Sequence, residues 1–223
     1  MNNVRYWSSV FLGSIIIMTF SVPPAFAAES AAQVITLSGQ ATSASKQGDI
    51  SLLHVGSALN SGDTVVTNPN SYVRMKFSDG GYVILRPNTR FVIEDYKDTG
   101  NAAEDRSIFS LLKGGFRAIT GLVGRRNHNN YKIRTAVATI GIRGTEHEGR
   151  ICDGDCLDVD PPPPDGLYTH TFSGGTDING QPFGPGQYGY TNNNGQTQSI
   201  GKGQATPLTT DPIPPADPAD CGK

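Results

Sequence analysis

The sequence predicts an all-β domain of short stacked strands and hairpins in a partly solenoid-like arrangement. Glycine is abundant, at 27 of 223 residues, and turn signals recur about every ten residues. Apart from residues 10–20, no stretch shows the period of about 3.6 residues that marks an amphipathic helix. Many short strands joined by tight turns are typical of an all-β fold.

Residues 1–27 are predicted to be a secretory signal peptide and not part of the fold. Arg5 gives a positive start, residues 10–20 are mostly apolar, and residues 25–27 (Ala-Phe-Ala) form a small-x-small cleavage site. The apolar run is too short to span a bilayer comfortably, and no cysteine follows the cleavage site to carry a lipid. We therefore expect a chain that is exported to the periplasm or secreted.

The exported chain is predicted to hold one domain and a tail. Residues 28–200 form the all-β domain, and the proline-rich residues 201–223 form a disordered tail. Within the domain we distinguish core strands (33–148), an acidic loop with cysteines and prolines (149–166) and final strands (167–200).

The exported chain is weakly acidic, and its charges are segregated. Without Arg5, 17 Lys and Arg side chains stand against 20 Asp and Glu, a net charge of −3 that gives no support to nucleic-acid binding. Residues 113–145 contain no acid, whereas residues 146–165 contain seven. The candidate basic surface consists of Lys113, Arg117, Arg125, Arg126, Lys132 and Arg134. It either complements the acidic block within the fold or steers a charged partner, and the sequence leaves both readings open.

Two stretches show the alternation of strands that are covered on one face. In residues 72–77 every second side chain is apolar, and residues 78–81 (Ser-Asp-Gly-Gly) supply a hairpin turn. Residues 131–134 alternate in the same way. The following run, residues 136–142, is almost entirely small or apolar, so we expect a strand that is covered on both faces.

A structural ion pair is predicted at the end of this run, with a ligand site as the alternative. Arg143 lies between Gly141 and Gly144, and a nearly buried cation is costly without a partner. Glu146 or Glu148 is the expected partner. Because Arg143 and Glu146 point to opposite faces of a regular strand, a bulge at Gly144 is needed to bring them together.

The three cysteines, Cys152, Cys156 and Cys221, are disulfide candidates, because disulfides persist in exported proteins. A bond between Cys152 and Cys156 would staple the acidic loop. A bond from either of them to Cys221 would instead attach the tail to the domain.

The acidic loop also carries four alternating carboxylates, on Asp153, Asp155, Asp158 and Asp160. Calcium prefers six to eight oxygen ligands, but the order of ligands in an EF-hand is missing here. We expect a solvated loop and no cofactor, with calcium binding as the alternative.

The sequence gives little support to catalysis. The histidines, at positions 54, 128, 147 and 170, are scattered without metal-ligand spacing, and neither a nucleophile elbow nor a phosphate-binding loop is present. A nucleophilic Cys152 or Cys156 paired with His170 is the remaining candidate, and a disulfide would remove its thiolate. We therefore predict a protein that is not an enzyme.

Several blocks of the sequence resemble the FecR domain of bacterial envelope proteins, over about residues 33–200. The matching blocks are Gly-Asp-Thr-Val-Val-Thr at 62–67, Phe-Ser-Asp-Gly-Gly-Tyr-Val-Ile-Leu-Arg-Pro-Asn-Thr at 77–89, Leu-Lys-Gly-Gly-Phe-Arg at 112–117, Val-Ala-Thr-Ile-Gly-Ile-Arg-Gly-Thr-Glu at 137–146 and Gly-Pro-Gly-Gln-Tyr at 184–188. The resemblance implies an all-β, partly solenoid-like module. The best-known members are inner-membrane regulators that relay an outer-membrane receptor's signal to a sigma factor during iron uptake.

Unlike those members, this chain is expected to function without a cytoplasmic anti-sigma segment and without a transmembrane helix. We therefore expect an exported binding module that contacts a protein partner or an envelope polymer. A component of trans-envelope signalling that acts with a separate membrane partner is the first alternative. A carbohydrate-active accessory protein or an unrecognised enzyme is the second.

Overall fold

A computed structural model of the chain describes residues 30–210. The predicted signal peptide and residues 211–223 of the predicted tail lie outside this range. The described chain consists mostly of β-strands, which confirms the predicted fold class. No helix between residues 30 and 210 is long and apolar enough to cross a membrane.

The described chain contains sixteen strands and two short α-helices. The strands are β1 (Ala32–Ser38), β2 (Ala41–Ala44), β3 (Ile50–Leu52), β4 (Ala58–Leu59), β5 (Thr64–Thr67), β6 (Tyr72–Phe77), β7 (Tyr82–Leu85), β8 (Arg90–Lys97), β9 (Arg106–Lys113), β10 (Gly115–Ile119), β11 (Tyr131–Arg134), β12 (Thr139–Cys152), β13 (Gly166–Ile178), β14 (Gln181–Phe183), β15 (Tyr188–Asn192) and β16 (Thr197–Ile200). The helices are α1 (Leu122–Arg126) and α2 (Thr206–Thr209), and 3-10 turns precede β11 and α2.

All sixteen strands belong to one curled sheet. Its main path runs β3-β2-β5-β8-β9-β11-β12-β10-β7-β6-β1-β4, and β13 to β16 extend it from β12. The strand β11 pairs in parallel with β9 and antiparallel with β12. Strands that are distant in sequence therefore become neighbours, and most side chains of the candidate site come from such neighbours.

The long strand β12 lies at the centre because it pairs with three other strands. Residues 139–140 pair with β11, residues 146–150 pair with β10, and β13 pairs along almost the whole length of β12. The register against β13 shifts between Arg143 and Glu146, where Gly144 has a φ of +62°. The predicted bulge at Gly144 is therefore confirmed.

The predicted strand over residues 136–142 is wrong in its first half, because residues 135–138 form a turn. The Thr135 hydroxyl accepts hydrogen bonds from the N–H groups of Val137 and Ala138 and donates one to the Ala138 carbonyl. Such local bonding gives the backbone an alternative to a strand ladder. The chain consequently folds back, and β11 and β12 form a hairpin.

The main core lies inside the curl of the sheet and centres on four phenylalanines. The ring centroids of Phe77 and Phe91 lie 5.2 and 5.4 Å from that of Phe109, and Phe116 lies 6.4 Å from Phe91. Tilted and edge-on pairs at these distances add to the stability that burial provides. In β6 the predicted alternation is confirmed, since its three apolar side chains are buried.

A second, smaller core involves a segment that we expected to be disordered. Residues 201–210, which we call the strap, contain a 3-10 turn and α2 and lie against β12 and β13. Ala205 and Leu208 are fully or almost fully buried. They pack with Cys152, Cys156, Val159 and Tyr168. The prediction of disorder is therefore wrong for residues 201–210, because three anchors, Ala205, Pro207 and Leu208, are buried despite the polar composition around them.

Candidate functional site

The outer face of the sheet carries a continuous set of charged and aromatic side chains across six strands. The strand register places these residues side by side, in the order Arg74 (β6), Ile84 (β7), Arg117 (β10), Glu148 (β12), His170 (β13) and Tyr188 (β15). A neighbouring row consists of Lys76, Tyr82, Ile119 and Glu146. We call this surface the charged face; it consists of Arg74, Lys76, Tyr82, Arg117, Glu146, Glu148, His170, Phe172 and Tyr188.

The β6 end of the charged face is basic. The Arg74 guanidinium lies 4.9 Å from the centroid of the Tyr82 ring, and the Lys76 ammonium lies 5.6 Å from the same centroid. Tyr82 is buried beneath them, at 4% exposure, whereas Lys76 is exposed. Cation–π attraction thus holds two positive charges close together at the protein surface.

Arg117 is fixed at the middle of the charged face by two interactions. Its Nε and Nη2 atoms donate to Glu146 Oε1 at 3.0 and 2.6 Å, and its guanidinium lies 4.0 Å from the centroid of the Phe172 ring. The side chain is therefore ordered before any partner arrives, which lowers the entropy that binding would cost.

A stack of aromatic rings forms the β15 end. The rings of His170 and Tyr188 are parallel at 4.0 Å, and Phe172 lies 4.1 Å from His170 on a tilted plane. His170 Nδ1 lies 3.5 Å from Glu148 Oε1.

A buried ion pair lies under this surface. Arg86 Nη2 lies 3.3 Å from Glu148 Oε2, and the two side chains are only 2% and 7% exposed. Sequence reasoning missed Arg86, although Arg86-Pro87-Asn88-Thr89 falls in one of the blocks that resemble the FecR domain. The missing information was the pairing of β10 between β7 and β12, which brings residues 86 and 148 together.

The predicted ion pair of Arg143 with Glu146 or Glu148 is wrong. Within the described chain Glu146 pairs with Arg117 and Glu148 pairs with Arg86, while Arg143 is exposed. The bulge at Gly144 places Arg143 in solvent, whereas the carboxylates beyond the bulge face β10 and its neighbour β7. Glu146 and Glu148 do form ion pairs, but their partners are Arg117 and Arg86 rather than Arg143.

The predicted basic surface is largely neutralised by the fold. Arg126 pairs with Asp98 and Asp105, and Arg134 pairs with Glu94. Lys113 pairs with Asp155 at 3.3 Å, and Arg117 pairs with Glu146. Arg125 and Lys132 are exposed. Most of the compensating carboxylates therefore precede the basic block in sequence and do not come from the acidic loop.

Asp105 illustrates how closely these charges are matched. Burial alone would raise the pKa of this carboxyl group. Hydrogen bonds from Thr99 and Arg126 outweigh burial and hold the pKa below its ordinary value. The pair with Arg126 therefore anchors the loop between β8 and β9 to the C-terminal end of α1.

Of the pairings that the sequence left open, the structure contains the disulfide between Cys152 and Cys156, which staples the acidic loop. Their Cα atoms lie 5.4 Å apart, within the usual range for a disulfide. This bond removes the thiolate that a nucleophilic pair with His170 would need. Cys221 lies outside the described residues.

The four loop carboxylates do not converge on a calcium site. Asp158 forms a two-pronged pair with Arg150, which lowers its pKa, and Asp155 pairs with Lys113. Asp153 and Asp160 are exposed. Between residues 30 and 210, no three acidic, histidine or cysteine side chains are grouped to hold a metal ion.

His147 and His170 lie on opposite faces of the sheet, so they do not form one reactive centre. His147 is 1% exposed and contacts the rings of Phe116 and Tyr131 edge-on. Neither ring nitrogen has a hydrogen-bond partner among the described residues. Burial lowers the pKa of His147 to about 3, so the ring is neutral in the fold.

Together these features define an all-β domain with a preformed charged and aromatic outer face. Residues 63–157 match the family model described as FecR protein. The match runs from the residue before β5 to the disulfide loop and is narrower than the span of 33–200 that the resemblance suggested. It contains the Arg74, Arg117 and Glu148 part of the charged face, whereas the β13 and β15 part lies beyond it.

Two crystal structures of a proposed anti-sigma factor from Parabacteroides distasonis are among the solved structures that resemble the chain. Each has 14% sequence identity and a TM-score of 0.45. The matched region covers 61% of this chain and 58% of that protein, so the chain spans less than two thirds of its length. No curated protein sequence matches the chain.

Proposed function

We propose that this protein is an exported binding module of the bacterial envelope that holds a protein partner on its charged face. The observation that carries the proposal is the preformed surface itself. Arg117 is fixed by Glu146 and Phe172, and two cations are held together over Tyr82 at one end. Ordered charges of this kind favour a specific partner over nonspecific adhesion.

The size of the charged face favours a protein as the ligand. Six adjacent strands at a spacing of about 4.8 Å give a surface about 25 Å wide. A standard protein interface has about this width and buries about 800 Å² on each partner. A small molecule would instead favour a concave pocket with convergent polar groups.

The charge distribution indicates the chemistry of the partner. The β6 end presents the exposed ammonium group of Lys76, whereas Glu146 and Glu148 at the centre are paired with arginines. An acidic group on the partner would therefore lie over β6. Charges at the rim of an interface act mainly on the association rate and its salt dependence.

The proposed location is supported by two features. Residues 1–27 have the pattern of a signal peptide. In addition, Cys152 and Cys156 form a disulfide, and such bonds persist in the periplasm and outside the cell.

A signalling role is the second candidate, and the FecR domain favours it. The best-known members of that family relay signals across the envelope. In this candidate the charged face binds a separate membrane protein, which carries the signal further. The two candidates share the binding step and differ in whether loss of binding changes gene expression.

The test is affinity capture from the source bacterium, with the tagged protein expressed at its native level. Wild type and a Lys132→Glu control are expected to retain one envelope protein, since Lys132 lies on β11, four strands away from β6 in the sheet. Lys76→Glu is expected to lose that protein. Equal capture by Lys76→Glu, or capture of nothing by the wild type, would contradict the proposal.

A further inference from the structure

The strap covers one end of the outer sheet face, next to the charged face. Arg150, Tyr168 and Tyr190 lie in adjacent strands there, on β12, β13 and β15. The strap buries Ala205, Pro207 and Leu208 against this region and against the disulfide loop. Three apolar anchors in four consecutive residues are typical of the way in which a short peptide ligand is held.

Two arginines bind consecutive carbonyl groups of the strap. Arg150 Nη1 donates to the Pro207 carbonyl at 2.8 Å, and Arg86 Nη2 donates to the Leu208 carbonyl at 3.3 Å. Both arginines also pair with carboxylates, Arg86 with Glu148 and Arg150 with Asp158. We call the surface beneath the strap the groove. It contains two fixed guanidinium groups, and each of them donates a hydrogen bond to a carbonyl group of the strap.

The first four residues of the strap are exposed. An added Cβ at Gly203 would meet nothing within 4 Å, so this part of the strap is not packed against the sheet. Beside the strap lies a cavity of about 370 Å³ that is bordered by Pro161–Pro164, Tyr168, Tyr190 and strap residues. The groove is thus wider than the segment that occupies it.

We propose that the strap occupies, within its own chain, a peptide-binding groove that also receives a segment of the partner protein. The segment has the chemistry of residues 205–208: a small residue, any residue, proline and leucine, ending in a carboxylate. A terminal carboxylate in place of the Leu208 carbonyl would form charge-assisted hydrogen bonds, which are stronger than those to a neutral carbonyl. This inference rests on the proposed function, because it names a second contact with the same partner.

Competition within the chain determines how the groove is filled. A tethered segment has an effective concentration on the order of millimolar. A free peptide therefore binds the wild type weakly and binds well only when the strap is weakened. The natural partner would gain affinity from contacts on the charged face, which the isolated peptide lacks.

The test uses a fluorescent hexapeptide, Gly-Gln-Ala-Thr-Pro-Leu, with either a free or an amidated carboxyl end, titrated into the full-length protein. Leu208→Ser weakens the strap, and Leu157→Ser is the matched control because Leu157 is 82% exposed in the disulfide loop. The free-acid peptide is expected to bind Leu208→Ser at least about ten-fold more tightly than the wild type or the control. The amidated peptide is expected to bind about ten-fold more weakly than the free acid.

Equal binding of the two peptides by Leu208→Ser, or binding by none of the three proteins, would overturn the proposal. Arg150 donates to the Pro207 carbonyl, a group that both peptides contain. Adding Arg150→Gln to Leu208→Ser is therefore expected to weaken both peptides by a similar factor, and unchanged binding of both would overturn the proposal. If a concentration-dependent dimer forms and the peptide does not dissociate it, the occupant is the strap of a second copy, and the proposal is wrong. The capture experiment with Lys76→Glu does not involve the groove, so its failure is distinguishable from failure here.

Hydrogen exchange on the unaltered protein tests the groove without a variant that has to fold. The Leu208 N–H is bonded to the Ala205 carbonyl inside the strap. Its protection is expected to be at least about ten-fold lower than that of residues 146–150 in β12, since the strap opens without global unfolding. Equal protection in both segments would show that the strap is a permanent part of the fold and would overturn the proposal.

Discussion

At the residue scale, two buried polar side chains have roles that depend on neighbours distant in sequence. His147 is buried against two aromatic rings, and Arg86 is buried against Glu148. Alternation in β12 predicts which side chains face inward, but not that an inward-facing histidine remains without a hydrogen-bond partner. The alternation of residues along a strand determines which face of the sheet a side chain points to. Its contacts, however, depend on which strands lie next to each other in the sheet.

His147 is expected to make the fold sensitive to acid. The unfolded chain binds a proton at this residue below about pH 6.5, whereas the folded protein does so only near pH 3. Its contribution to stability is therefore complete above pH 6.5 and is lost as the pH falls toward 3, by up to about 1.4 kcal/mol per pH unit. Urea unfolding of the wild type and His147→Leu between pH 4.5 and 7 measures this slope.

The expected result is a clearly shallower pH dependence for His147→Leu, whatever its absolute stability. His128→Leu is the control because His128 is exposed, and it should keep the slope of the wild type. Parallel pH dependences for the wild type and His147→Leu would show that His147 is accessible to protons in the folded state.

Glu148→Gln is expected to destabilise the fold by about 3 kcal/mol, because it removes the negative charge that Arg86 contacts where both side chains are buried. Arg143→Ala is the contrasting variant. Since Arg143 is exposed, its loss should change the free energy of unfolding by less than about 0.5 kcal/mol. Thermal unfolding of both variants checks the pairing. If Arg143→Ala loses more stability than Glu148→Gln, the ion pair of Arg143 that the sequence predicted would be supported instead.

At the scale of the strand, regular alternation was enough to predict β6, β11 and the hairpin between β6 and β7. The sequence did not reveal β2, β14 or β16, because they are only three or four residues long and each contains at most one large apolar side chain. These strands form because neighbouring strands supply their hydrogen bonds. The strap was missed for a similar reason, since its few apolar anchors lie among polar residues.

The bulge between β12 and β13 provides a test at this scale. Gly144 has a φ of +62° with open space around an added Cβ, so Gly144→Ala should cost about 1 kcal/mol through backbone strain alone. Gly174 has a φ of +71°, and its Cβ would lie 2.3 Å from the Gly144 carbonyl oxygen. Gly174→Ala should therefore cost at least about 2 kcal/mol more.

Urea unfolding of both glycine variants checks this order. Equal losses would mean that the two bulged segments do not lie against each other, and the register of β12 on β13 would need revision.

Removal of the disulfide is the second test of an element. Replacing Cys152 and Cys156 by serine should lower the free energy of unfolding by about 2 kcal/mol, as expected for a short closed loop. Because both cysteines pack against the strap, the strap should also lose protection in hydrogen exchange. An unchanged strap would show that the loop and the strap are stabilised independently.

At the scale of the whole molecule, the curl of the sheet produces the charged face. Cations of β6 and β10, acids of β12 and aromatic rings of β13 and β15 come from segments that are far apart in sequence. The sequence predicted the fold class, the disulfide and the block of cations. It did not predict the charged face, because that surface depends on the order of the strands in the sheet.

Cross-linking in living cells tests most directly whether the charged face binds a protein. A photoreactive amino acid is placed at position 76 on β6 or, as the control, at position 132 on β11, and the cells are irradiated at native expression levels. We expect one discrete adduct with an envelope protein from position 76 and none of that size from position 132. The same adduct from both positions, or no adduct from position 76, would contradict this expectation.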